Sequence, residues 1–133
     1  SQFRMAQRAH IKVSRVDQHH LEGEINHYAG QAWSHKRIFD VHPNQLIIED
    51  FIVAEEVVSS VMYLHCHYNV GAVDLDFEKC KINIAGMQLL ILGAHKIVIE
   101  DMDEALDFNV CVKSKRISIS FEKQIKTIIT WHD

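Results

Sequence analysis

The chain has 133 residues, 14 Lys plus Arg against 18 Asp plus Glu for a formal charge of −4, and is 47% apolar and 24% charged. That balance excludes a disordered chain, which needs low hydrophobicity with high net charge. It also argues against nucleic acid as a partner, since binding the phosphate backbone needs a clustered excess of cations.

Taken in chain order, the pattern is β throughout. Val and Ile total 28 residues and Ala and Leu only 17, and β-branched side chains suit a pleated, half-buried surface. Ile11 and Val13 alternate with Lys12 and Ser14, which predicts one buried and one wet face. Further strands are expected over 31–39, 45–53, 57–68, 80–84, 88–92, 97–99 and 105–112. Ile117, Ile119 and Phe121 alternate with Ser118, Ser120 and Glu122, and a last strand covers 125–130. Turn signals separate these runs: His42-Pro43-Asn44-Gln45, Asn69 to Gly71, Gly86 and Gly93. The acidic run Glu100, Asp101, Asp103, Glu104 is expected to be a charged loop that discourages edge pairing. Asp74, Asp76 and Glu78 lack the Gly and terminal Glu of a calcium loop and fit a solvated strand face or hairpin. Short strands between regular turns predict an all-β fold, an antiparallel β-sandwich of one layer pair without substantial helix, in a single domain over 1–133.

The longest stretch free of Asp, Glu, Lys and Arg, Val57 to Val73, contains Ser59, Ser60, His65, His67 and Asn69. It is no spanning helix, which needs about 20 mainly apolar residues, so no membrane partner is expected. The start, SQFRMAQRAH, carries no apolar signal core and no initiator Met, which suggests a processed chain or a piece of a longer one. Localisation, periplasmic or cytoplasmic, is left open. Cys66, Cys80 and Cys111 are odd in number and widely spaced, as expected of free thiols.

The chemistry-bearing residues are histidines, ten in all. His35, Asp50 and His65 lie at equal intervals of 15 residues, a spacing that fits three consecutive strands whose central side chains meet across a sheet. Two imidazoles and a carboxylate suit Zn²⁺. Asp50 sits between Ile48 and Ile52, and a carboxylate in an apolar strand needs a partner. A metal, Lys36, Arg37 or a backbone turn can supply it. His67 shares a face with His65 on a regular strand and is an alternative ligand. The H-x-H of His65 and His67 also admits a metal-dependent jelly-roll enzyme, but the later Glu and Gly-rich histidine segment of that pattern is missing. Tyr28 and Trp33 can stack on a sugar ring, with core packing the commoner role for a Trp.

Several segments, in order, carry a resemblance: FRMAQRAHIKV at 3–13, INHYAG at 25–30, WSHKRIF at 33–39, QLIIEDFI at 45–52, YLHCHYNV at 63–70 and the closing strands at 108–131. Together they resemble the C-terminal domain of the heparinase II/III-like proteins. The resemblance implies a polysaccharide lyase acting on uronic-acid polymers, with an N-terminal helical toroid, a C-terminal β-sandwich and a substrate cleft between them. It implies a zinc ion held by His35, Asp50 and His65; Tyr28, Trp33 and His67 are the candidate substrate contacts. It implies β-elimination, in which a base takes the C5 proton of the uronate, a neutralising group meets its carboxylate and an acid protonates the departing oxygen. Those catalytic groups belong mainly to the helical domain, which these residues do not include, so the polysaccharide partner would be met through that domain. Trp33 stands where some zinc-bearing relatives have a catalytic His, and Tyr68 where a Pro is usual. The alternative is a non-catalytic carbohydrate-binding or scaffold sandwich.

Overall fold

The computed structural model describes residues 10–26 and 33–132. They form eleven strands: β1 (His10–Val16), β2 (His20–Asn26), β3 (Trp33–His42), β4 (Gln45–Ala54), β5 (Ser60–His65), β6 (Val73–Asp76), β7 (Lys81–Ile84), β8 (Met87–Leu92), β9 (Lys96–Asp107), β10 (Val110–Phe121) and β11 (Gln124–Trp131). Every pairing is antiparallel. One sheet runs β1-β2-β3-β4-β11-β8-β7-β6 and the other β5-β10-β9. The predicted sandwich is the observed fold, with no helix among the described residues.

Local chemistry sets the turns. Pro43 and Asn44 make the two-residue link of β3 to β4, with Asn44 at φ 57°. Ala85 and Gly86 both take positive φ between β7 and β8, the backbone of the tight hairpin turn that matches strand twist. Gly93, at φ 98°, brings its backbone so near β11 that a Cβ would lie 2.8 Å from the Gln124 carbonyl oxygen.

Opposed residues in a ladder share a face, and this parity defines the core. The inner face of the large sheet carries Ile82 and Ile84 of β7, Leu89 and Ile91 of β8 and Ile125 of β11. It packs on Met62 of β5, Ile97 of β9 and Ile117, Ile119 and Phe121 of β10. Each fully buried Ile contributes about 1.5–3 kcal/mol of transfer free energy.

Three strands cannot cover eight. The same inner face continues past the small sheet onto β3, β2 and β1, where the alternation of Ile11 and Val13 recurs. Both side chains are exposed there, as are Val16, Leu21 and Val41. The expectation that Ile11 and Val13 are buried therefore fails within the described residues.

Strand boundaries also differ from expectation: the run 57–68 contracts to β5, Ser60–His65. The acidic run 100–104 lies inside β9, because three of its four acids have an opposite charge across the ladder; Glu104 instead faces Val112. Lys113 pairs with Asp103, Lys115 with Asp101 (2.8 Å) and Arg116 with Glu100 (2.6 Å). The expected strand 105–112 is broken by a hairpin turn at Phe108-Asn109, with Asn109 at φ 61°. Since β5 pairs only with Arg116–Phe121, the outer parts of β9 and β10 form a two-stranded arm. Phe108, 87% exposed, stands at its tip.

Candidate functional site

The chemically distinct place is on β3 and β4. The hairpin turn at Pro43-Asn44 sets a register in which Arg37 lies opposite Asp50 and His35 opposite Ile52. His35, Arg37 and Asp50 thus share the inner face. Asp50 is 1% exposed. Its Oδ1 accepts one hydrogen bond from His35 Nε2 at 2.6 Å and another from Arg37 Nε at 2.6 Å. A carboxylate only accepts, so His35 carries its proton on Nε2. Asp50 Oδ2 is buried without a hydrogen-bond partner among the described residues.

Burial alone would push the Asp50 carboxyl up. Hydrogen bonds from His35 and Arg37, with the charge of Arg37, more than offset that and hold it below the ordinary carboxylate value. Seen from solvent the order is reversed: the His35 and Arg37 side chains are 28% and 39% exposed. Beside them opens a cavity of about 370 Å³, lined by Trp33, His35, Arg37, Asp50, Ser60 and Phe121 with an apolar wall from Ile52, Val58, Val61 and Met62. Its surface combines N–H donors, a hydroxyl and aromatic rings, a mixture suited to a polar ring-shaped ligand.

The structure brings His35 and Asp50 together and leaves His65 apart. After β4 the chain crosses to the other sheet, so the third strand of the expected trio does not adjoin the second. On β5, Leu64 and Met62 point into the core, and His65 falls opposite Arg116 on the outward face. Among the described residues no group of three His, Cys, Asp or Glu is placed to hold a metal ion. His67 lies beyond β5, exposed, hydrogen-bonded to Asn69 and with its ring 4.2 Å from that of Tyr68. Trp33 lines the cavity. Tyr28 lies outside the described residues.

A zinc ion is the group the resemblance implies, and the donor set is its test. Asp50 Oδ2 has the right chemistry and no partner, and His35 is an imidazole beside it. Against that, His35 Nε2 is already committed to Asp50, Arg37 places a permanent cation on the same carboxylate, and His65 faces away. As arranged, these residues do not fit a protein zinc site, which takes at least three protein donors.

A second polar cluster, not foreseen from the sequence, lies on the outer face of β2 and β3. His20 Nδ1 is 2.5 Å from Asp40 and Nε2 is 3.4 Å from Glu22, whose other oxygen meets Lys36 at 2.5 Å. The Asp40 hydrogen bond raises the His20 pKa above its ordinary value. The signal that could have found it is the β2–β3 register opposing His20 and Asp40, which needs β2 to be recognised first.

With the geometry in place, comparison with solved structures defines the class of fold. The heparan sulfate lyase HepC from Pedobacter heparinus superposes with a TM-score of 0.73 at 11% identity, over 90% of this chain and 21% of that one. A heparinase III gene product does so with a TM-score of 0.71 at 14% identity, over the same shares. The chain thus has the fold of a β-sandwich portion of heparinase III-type structures and spans about a fifth of their length. No protein-family profile matches the sequence, and no curated protein does.

Proposed function

We propose that this chain is the C-terminal β-sandwich of a heparinase-like polysaccharide lyase and forms one wall of its substrate cleft. The observation that carries this reading is the uncovered inner face of β1–β3. An apolar strip that includes Ile11, Val13, Val16 and Leu21 lies beside a sandwich whose fold occupies a fifth of larger lyases. Contiguous exposed apolar surface marks an interaction site, and a helical domain seated there would place its catalytic groups beside the cavity at Trp33, His35 and Arg37.

The division of labour follows from the site. β-Elimination needs a base free to take a proton and an acid free to give one. His35 and Asp50 hold one another, and Asp50 is further clamped by Arg37, so neither is free for that task. The cavity instead offers donors and an aromatic wall, which position a sugar ring and meet its acidic group. Catalysis by the helical domain and positioning by the sandwich account for both facts.

The test is to offer the chain uronic-acid polysaccharides and follow the ultraviolet absorbance of the unsaturated product, with binding measured in parallel by calorimetry. The reading expects weak binding, reduced by Trp33→Ala, and no turnover. Robust turnover by these 133 residues would overturn it. Binding that Trp33→Ala leaves unchanged would move the sugar contact away from this cavity.

A further inference from the structure

The buried Asp50 carboxylate already has a cation beside it. We infer that Arg37 is the resident counter-ion of Asp50, filling the place a divalent cation would take, so that this sandwich assembles and keeps its buried carboxylate without metal. The inference does not depend on the lyase reading, because it concerns what holds the two strands together rather than what the cavity binds.

Four observations support it. First, the β3–β4 ladder itself places Arg37 opposite Asp50, so the pair forms when the hairpin forms. Second, Arg37 Nε and His35 Nε2 both bond to Oδ1 at 2.6 Å. A metal on Oδ1 would have to detach His35 and sit next to a guanidinium that cannot give up its charge. Third, Oδ2, the oxygen without a hydrogen-bond partner among the described residues, is buried, so an ion placed on it would have to be desolvated beside the Arg37 guanidinium. Fourth, the remaining donor of the expected trio, His65, is on the outward face of the small sheet opposite Arg116. A buried carboxylate needs a compensating cation, and the guanidinium supplies it from within the chain.

The consequence for the cavity is chemical. With the carboxylate behind and Arg37 and His35 in front, the accessible surface presents hydrogen-bond donors rather than an open metal position.

The experiment is a zinc titration of the chelator-treated chain by calorimetry, alongside thermal melting with and without Zn²⁺. Surface histidines will take up some zinc, so the decisive comparison is with His35→Ala and Asp50→Asn. The inference expects both variants to bind zinc within twofold of the unaltered chain, and expects chelator to leave its melting temperature unchanged. One tight zinc per chain, weakened tenfold or more by each of the two variants, would overturn it. Melting supplies the second arm. Arg37→Ala should lower the melting temperature by about 10 °C, as expected when one partner of a buried pair is removed. Arg37→Lys should recover at least half of that loss, and adding Asp50→Asn to Arg37→Ala should also recover part of it, because the stranded charge is gone. An Arg37→Ala chain that melts with the unaltered protein would overturn the inference. If that variant does not fold, the Lys variant and the zinc titration still decide the matter.

Discussion

The two halves of the large sheet's inner face have the same chemistry and opposite fates. On β7, β8 and β11 the apolar side chains meet the small sheet, and Ile82, Ile91 and Ile125 are fully buried. On β1 and β2, Ile11, Val13, Val16 and Leu21 continue the same face and are exposed. Alternation in a sequence therefore reports which side chains share a face, and not whether anything covers them. Asp50 lies at the border between the halves, on β4 next to Ile125 of β11, where a charge is out of water yet within reach of half-exposed partners.

This contrast can be broken by substitution. The largest effect is expected for Ile125→Ala, which should cost about 3–4 kcal/mol in urea unfolding through lost transfer and a cavity. A loss below about 1 kcal/mol would mean the covered half is loosely packed. Next comes Gly93→Ala, which forces a Cβ against the Gln124 carbonyl at a positive φ and should cost roughly 1–3 kcal/mol, read from the same unfolding curves. Ile11→Ser and Val13→Ser should be the mildest, each below about 0.5 kcal/mol in this chain. A loss as large as that of Ile125→Ala would show that the strip is already buried.

The outer side of the overhanging half adds a pH dependence. His20 faces Asp40 and Glu22, with Arg15 and Lys36 nearby. Its folded pKa is raised, so its contribution to stability is fully present below the ordinary value of about 6.5. That contribution disappears as pH rises through the higher folded pKa. Nuclear magnetic resonance titration of the His20 ring should show a midpoint above the ordinary value, returning toward it in Asp40→Asn. An unshifted midpoint would remove the pair from the account of β2–β3 pairing.

Much of the fold was legible because period-two runs such as 117–121 and 125–130 have a single reading. β2 escaped notice because HLEGEIN has only two large apolar residues, and pairing on both edges supplies what its composition lacks. The acidic run 100–104 looks like a loop in the sequence because its stabilising partners, Lys113, Lys115 and Arg116, lie across the turn at Phe108-Asn109, which carries no strong turn signal. For the site, equal spacing put His35, Asp50 and His65 on successive strands, but spacing cannot say when a chain changes sheets. Composition alone leaves Lys36 and Arg37 equivalent as partners for Asp50. The turn at Pro43-Asn44 contained the means to choose between them, since a two-residue link there sets Arg37 directly opposite.

The arm of β9 and β10 has a consequence of its own. Beyond Arg116 no third strand lies beside it among the described residues, and Lys113–Asp103 and Lys115–Asp101 pair across its backbone ladder. Charge pairs in water weaken as dissolved ions screen them, over a Debye length of about 8 Å at physiological ionic strength. The exposed Lys113–Asp103 and Lys115–Asp101 pairs therefore add less to this projection in brine than in dilute buffer, while the backbone ladder between its two sides persists in both.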